Sequence, residues 1–219
     1  LSTWTRHSNW ALLIQTLERF PREQLSPDLL AFLGLAYGEN GQSALAREVF
    51  TAQLSAGQET AVTFLGLMFA AYRAQDLPTM KSMTERGLQR AWIPYERSQL
   101  LRGLATYHLS INQWTQATAV ARQAVAVAQS AGDHALIISA RTVEFWGLAF
   151  QTATIQDAVT LGTELLHDAI ALGFINKGLI IVDALLDAMI DSGRVAETAR
   201  VVALAQPHAA AYAFIHTRF

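Results

Sequence analysis

Hydrophobic residues recur every three to four positions along almost the whole chain, and no long alternation of apolar and polar residues interrupts them. This period is that of amphipathic helices, so the pattern predicts an all-α protein. Breaks in the pattern leave segments of about 12–20 residues, the usual length of packed helices. The predicted elements are a lone helix at about 8–20, helix pairs at about 27–57, 60–91, 95–131, 134–172 and 176–206, and a terminal helix at about 208–217.

Several predicted helix ends have local sequence signals. Gly132 can end one helix in the left-handed conformation, and Asp133 can cap the start of the next one. Pro27 and Pro94 suit the first turn of a helix, where a backbone N–H is not needed. These signals support the predicted boundaries independently of the hydrophobic period.

The stretch LAFLGLAYGENGQSALAREVF at 30–50 combines small residues, which let two helices approach closely, with large residues that fill the space between layers. The small residues are Gly34 and Ala46, the large ones are Leu33, Tyr37 and Phe50, and Gly41 makes the turn. In this spacing the stretch resembles a tetratricopeptide repeat. It departs from that family at Gln53, where alanine is usual, and in lacking the closing proline.

The same register continues along the chain with a lengthening step. If Ala46 marks the start of each second helix, its equivalents are Leu13, Met80, Ala117, Ala158 and Thr198, at steps of 33, 34, 37, 41 and 40 residues. Such longer repeats resemble the helical arrays of bacterial LuxR-type ATP-dependent transcriptional regulators. The resemblance implies a right-handed α-solenoid, a single repeat domain over residues 1–219, and a cytoplasmic sensory or interaction role in signalling.

In tetratricopeptide arrays the first helix of each pair lines a concave groove. Carried onto this register, the resemblance implies a groove for a protein or peptide, and two of its aromatic positions, Phe69 and Tyr72, can also be explained as core residues. The implied positions are Leu35, Glu39, Leu65, Phe69, Tyr72, Arg73, Gln99, Arg102, Thr106, Leu109, Val143, Gly147, Phe150, Asp183 and Asp187. The Lys/Asn clamp of chaperone-binding repeats is not recognisable, which disfavours chaperone docking.

The composition limits the possible functions. Hydrophobic residues make up 52% and charged residues 16%, which predicts a folded core. The net charge of −2 at pH 7 argues against direct nucleic-acid binding, because phosphate contacts need a clustered basic surface. No uncharged apolar run reaches about 18 residues, so no membrane span is predicted. The absence of cysteine excludes disulfides and fits a reducing compartment, and the start LSTWTRH indicates a fragment of a longer protein.

The motifs of catalysis and metal binding are missing or incomplete. The segment GFINKG at 173–178 lacks the Lys-Ser/Thr pair of a phosphate-binding loop. Glu164 and His167 have the spacing of di-iron ligands, but such a site needs the motif twice. The chain has no cysteine and no G-x-S-x-G elbow, and its six histidines do not cluster. We therefore predict no enzyme activity, no metal and no cofactor.

Two further features leave alternatives open. Asp183, Asp187 and Asp191 form an acidic stripe at i, i+4 and i+8, which suits either a solvated face or a contact with a cation or basic peptide. The lone first helix, with Trp4 shortly before it, and the tail AAAYAFIH are apolar enough to require flanking domains, a partner or a second copy. Self-association and a small-molecule effector pocket are the alternatives to a groove.

Overall fold

The computed structural model describes residues 10–208, and within this range all regular structure is helical. Short 3-10 turns occur at Arg22–Gln24, Thr152–Thr154 and Gln206–His208. The α-helices are α1 (Trp10–Leu17), α2 (Pro27–Glu39), α3 (Ser43–Ser55), α4 (Ala61–Arg73), α5 (Leu77–Leu88), α6 (Pro94–Ser110), α7 (Trp114–Ser130), α8 (His134–Ala149), α9 (Ile155–Ala171), α10 (Ile175–Leu179), α11 (Val182–Asp191) and α12 (Val195–Ala205). Trp4, the tail AAAYAFIH and most of the predicted terminal helix lie outside the described residues.

The chain divides into two compact units at Tyr107–His108, within α6. We call them the first unit and the second unit. In each unit, helices pack mainly on their neighbours in the chain. A repeat array also behaves in this way, since each repeat contacts chiefly the adjacent ones. The right-handed solenoid and the single repeat domain over 1–219 stay predictions.

The Phe50 side chain joins three helices of the first unit. Its ring is buried on α3, between Gly34 of α2 and Gly66 of α4. A Cβ atom on Gly34 would lie 2.7 Å from Cε1 of this ring, and a Cβ atom on Gly66 would overlap the ring. The glycines therefore leave the space that the ring fills, as the spacing of Gly34 and Phe50 predicts for a close helix pair.

The buried Gln53 side chain connects the same three helices through hydrogen bonds. Its Nε2 donates to the carbonyl oxygen of Pro27, at 2.6 Å, and its Oε1 accepts from the Thr63 hydroxyl, at 2.9 Å. Thr63 also belongs to the capping box with Thr60 that starts α4. The residue that departs from the repeat pattern thus links the starts of α2 and α4 to α3.

The core of the second unit lies between α8, α9 and α11. Phe145 is fully buried at its centre. A Cβ atom on Gly162 would lie 2.8 Å from both Cε2 of Phe145 and Cδ1 of Leu185. Gly162 thus gives α9 the close approach that buries the Phe145 ring.

The predicted caps are confirmed. Gly132 has a φ of 62°, in the left-handed region, and the Asp133 carboxylate accepts from the N–H groups of Ala135 and Leu136 at 3.0 and 3.2 Å. Pro27 begins α2 after the Ser26 cap, and Pro94 begins α6. These boundaries follow from short-range chemistry, which is why the sequence predicts them well.

Residues 176–206 differ in detail from the predicted helix pair. The structure has three helices from Ile175 to Ala205, because the first predicted helix is interrupted between Leu179 and Val182. Gly178 precedes the interruption and sits closely on α9, where its Cβ atom would lie 2.9 Å from Cβ of Ala169. A glycine inside a helix weakens it, and this close packing onto α9 accompanies the interruption.

Candidate functional site

The ends of α2 and α4 are joined by a pair of charged residues on the surface of the first unit. Arg73 donates from Nη2 to Oε1 of Glu39 at 3.0 Å. Its Nη1 also lies 3.4 Å from the carbonyl oxygen of Gly38. Each of these charged residues is the last residue of its helix. The ion pair is partly exposed, so its contribution to stability is small, but it fixes where both charges stand.

Arg102 on α6 lies beside this ion pair. Its Nε donates to Oε1 of Gln99 at 2.9 Å, and its guanidinium carbon lies 5.4 Å from the ring centroid of Phe69. Partial burial lowers the pKa of Arg102, and nearby Tyr95, Glu39 and Tyr72 oppose that shift. Arginine stays protonated in spite of such a shift, so a positive charge is held at low solvation.

These side chains define what we call the arginine–aromatic surface. Tyr72 is its most open aromatic member, with 41% of the residue exposed. Its members project from α2, α4 and α6, and interactions between neighbouring helices connect them. The surface comprises Glu39, Phe69, Tyr72, Arg73, Gln99 and Arg102.

The other predicted groove positions of the first unit have different surroundings. Leu35 is buried and Leu65 is completely inaccessible, so both belong to the core. Thr106 is partly buried, and its hydroxyl donates to the carbonyl oxygen of Arg102 within α6, at 2.9 Å. The structure therefore brings the polar and aromatic candidates together at the surface and places the two leucines beneath them.

The predicted positions of the second unit do not form a comparable surface. Val143 is buried, and a Cβ atom on Gly147 would overlap Thr118. Asp183 and Asp187 are exposed on α11. Leu109 is partly buried at the end of α6.

Phe150 belongs to an aromatic cluster at the end of α8. Its ring centroid lies 4.9 Å from that of Trp114 and 5.8 Å from that of Trp146, and 53% of Phe150 is exposed. The sequence analysis does not predict Trp114 or Trp146 as site residues. Helical spacing places Trp146 next to Phe150, at i and i+4, whereas Trp114 reaches them from another helix.

The segments screened for catalytic chemistry have structural partners. Arg141 donates to Glu164 at 2.7 Å and to Asp168 at 3.0 Å, so an ion-pair network occupies the acidic residues near His167. In GFINKG, Lys177 donates to the Ser139 hydroxyl at 2.5 Å. Between residues 10 and 208, no cluster of three or more His, Asp or Glu residues could hold a metal ion. In the same part of the chain, every helix is too short or too polar to cross a membrane.

The loop between α5 and α6 carries an apolar feature that the sequence analysis did not identify. Trp92 is 89% exposed, and Ile93 beside it is also exposed. The backbone of both residues favours the charged form of the nearby Glu96 carboxylate and so acts to lower its pKa. A signal was present, because an aromatic and an aliphatic residue directly before Pro94 must occupy the turn that precedes a helix.

The pKa of Glu96 provides a prediction for this loop. Burial raises that pKa, the backbone of Ile93 and Trp92 opposes the shift, and the Asp28 carboxylate adds to it. A raised pKa in the folded state means that the stabilising contribution is present below the unfolded value of about 4.3 and is lost as the pH rises through the folded value. We therefore expect Glu96→Gln to be more stable than the unmodified chain at pH 7, because the neutral amide removes the partly buried charge.

Thermal unfolding of both proteins between pH 4 and pH 7.5 checks this expectation. The melting temperature of Glu96→Gln should exceed that of the unmodified chain at neutral pH, and the gap should close as the pH falls. A gap that is constant over this range, or that widens in acid, contradicts it.

Compared with known proteins, the sequence matches no protein-family model and no curated protein. The resemblance to tetratricopeptide repeats therefore depends on the residues of this chain alone. Those residues are the Gly34 and Phe50 spacing and the recurring step between second helices. Any functional statement has to begin from the arginine–aromatic surface itself.

Proposed function

We propose that this chain is a non-catalytic binding module that holds a segment of a protein or peptide on the arginine–aromatic surface. The single observation that carries the proposal is the position of the partly buried Arg102 guanidinium, 5.4 Å from the ring centroid of Phe69, which lies one turn before exposed Tyr72 on α4. Tyrosine and arginine dominate the binding energy of many protein interfaces, because they combine a large apolar area with strong hydrogen bonds.

The framework under this surface supports binding by reducing its entropic cost. Phe69 and Gln99 hold the Arg102 guanidinium from two sides, and the ion pair with Glu39 holds Arg73. Side chains that are already ordered lose little freedom when a partner arrives, so more of the contact energy appears as affinity. The helices beneath are packed through the Phe50 ring and the two glycines around it.

The wider role that we propose follows from the resemblance to regulator arrays. In that setting the module is the cytoplasmic sensory or interaction part of a bacterial transcriptional regulator. Binding of a protein segment would then change its contacts with flanking domains. This part of the proposal depends on the lengthening repeat step and not on the surface geometry.

A second candidate function is self-association, which is favoured by the exposed pair Trp92 and Ile93. A tryptophan with so much exposed area gains free energy when a partner covers it. Sedimentation at rising protein concentration separates the two candidates. A mass that grows with concentration favours self-association, and a constant monomer mass favours the binding module.

The proposed function predicts a specific effect of Tyr72→Ala. Peptides selected from a displayed random library on the full chain should bind this variant about 10-fold or more weakly, as expected for an interface aromatic. Because Tyr72 is exposed, the melting temperature should change little. The affinities can be measured by fluorescence anisotropy with labelled copies of the selected peptides.

Phe20→Ala is the matched control, since Phe20 is an aromatic residue of the same unit, is 52% exposed and lies outside the surface. Its affinity for the same peptides should stay within about 2-fold of the unmodified chain. Failure to enrich any peptide, or equal losses in the two variants, would overturn the proposed function.

A further inference from the structure

We infer that the ligand group held by Arg102 is a carboxylate, presented by the bound segment in the plane of the guanidinium. This inference rests on the proposed function, because it names the chemistry of the partner at the same surface. It also assigns different tasks to the two arginines of the surface. Arg102 contacts the partner, and Arg73 positions Glu39.

Of the N–H groups of the Arg102 guanidinium, only Nε–H donates a hydrogen bond within residues 10–208. The Nε–H group is directed to Gln99, and within residues 10–208 no carboxylate lies within ion-pair distance of this guanidinium. The hydrogen bonds of Arg102 in the same part of the chain leave both terminal amino groups without an acceptor. A guanidinium whose Nε is occupied still presents two parallel N–H donors at its end, and a carboxylate accepts both of them together.

The surroundings of Arg102 make such a partner favourable. The guanidinium lies near the Phe69 ring and is partly buried, so water solvates it less well than an arginine in solution. The lowered pKa of Arg102 has the same cause. A carboxylate that accepts from the terminal amino groups restores an interaction that partial burial removes, and it does so at low local dielectric.

The neighbouring charges favour a singly charged planar anion over a phosphate group. Glu39 is an electrostatic neighbour of Arg102, and a doubly charged group would be repelled by it. Arg73 cannot easily supply a second guanidinium for a phosphate, because it is paired with Glu39 at 3.0 Å. The same pairing keeps the Glu39 carboxylate, which is the internal competitor for Arg102, directed towards α4.

A double-substitution experiment tests the inference with the peptides selected on the full chain. Each acidic residue of a peptide is changed to its amide, and in a separate peptide the C-terminal carboxylate is amidated. One of these neutral peptides should bind the unmodified chain about 10- to 100-fold more weakly. The same change in the peptide should weaken its binding to Arg102→Gln by less than about 3-fold. The side-chain and C-terminal arms identify which carboxylate is bound.

Two variants serve as controls in this experiment. Arg97→Gln removes an exposed arginine from the same helix and should leave the cost of neutralising the peptide unchanged. Arg102→Lys keeps the charge but loses the planar fork, and its affinity should lie between those of the unmodified chain and Arg102→Gln. The melting temperature of Arg102→Gln should be unchanged or raised, since a poorly solvated charge is removed.

A titration with sodium acetate makes the inference independent of the peptide library. The Nε–H resonance of Arg102 in an NMR spectrum should shift and saturate with acetate, and it should not move with acetamide at equal ionic strength. One result would overturn only the carboxylate inference. In that result the selected peptides depend on Tyr72, but neutralising their carboxylates weakens binding equally to the unmodified chain and to Arg102→Gln. If no peptide is selected, the proposed function fails, and the acetate titration alone supports or overturns the carboxylate site.

Discussion

Gly66→Ala is expected to lower the free energy of unfolding by about 2–4 kcal/mol, in spite of the higher helix propensity of alanine. The new Cβ atom would overlap the Phe50 ring. The same edge of the ring is close to α2, where an added Cβ atom on Gly34 would lie 2.7 Å from Cε1. To remove the overlap, either the ring or α4 must move, and either movement disturbs the packing of α2, α3 and α4. Urea unfolding followed by far-ultraviolet circular dichroism measures the loss, and hydrogen exchange shows whether it is centred on α2 to α4.

Gly38→Ala is the matched control for this prediction. The same substitution on α2 would place a Cβ atom 3.6 Å from Nη1 of Arg73 and 3.8 Å from Cβ of Ala46, which are ordinary contacts. Its stability should rise by about 0.5–1 kcal/mol, because alanine replaces glycine in a helix. Similar losses in both variants would contradict the ring-and-glycine packing.

Phe145→Ala is expected to destabilise the second unit by about 3–5 kcal/mol, the usual cost of truncating a buried phenylalanine. The ring is fully inaccessible and lies against Gly162 and Leu185. Its truncation leaves a cavity that helices cannot collapse into without losing their other contacts. Denaturant unfolding gives the magnitude, and hydrogen exchange in α8, α9 and α11 gives the location.

Phe150→Ala, directly after the end of α8, provides the comparison. Because 53% of this residue is exposed, truncation removes less buried area and should cost about 1 kcal/mol. Equal costs at the two positions would mean that burial does not distinguish them, and the packing described for α9 against α8 would be wrong.

The sequence predicts the local features of this fold better than its contacts over distance. Gly132, Asp133 and Pro27 act on backbone groups within a few residues, so their effect on helix ends can be derived from the sequence. The role of Gly66 is different, since it depends on a ring that is sixteen positions earlier in the chain. The close packing of Gly178 on α9, next to the interruption after Leu179, is likewise a contact between residues of different helices.

For the candidate surface, the sequence predicts which face of a helix a residue lies on more reliably than how far that residue is buried. Leu65, Phe69 and Arg73 stand one turn apart on one face of α4, and their exposure increases towards the end of the helix. Helical spacing alone assigns all of them to the same side. The neighbouring helices bury the turn of α4 that contains Leu65, and they leave Arg73 at the end of the helix exposed. Tyr95 stands two turns before Arg102 on α6, so helical spacing alone would predict its proximity to that guanidinium.

The buried amide of Gln53 limits how far the helices of the first unit can slide along one another. Apolar contacts change little when two helices move by a fraction of a turn, whereas a buried amide loses its hydrogen bonds. Gln53 has partners at Pro27 and Thr63, so only one axial alignment of α2, α3 and α4 satisfies it. The meeting of Arg73 with Glu39 at the helix ends depends on that alignment. A residue without any contact to a partner thus helps to determine the geometry that a partner would meet.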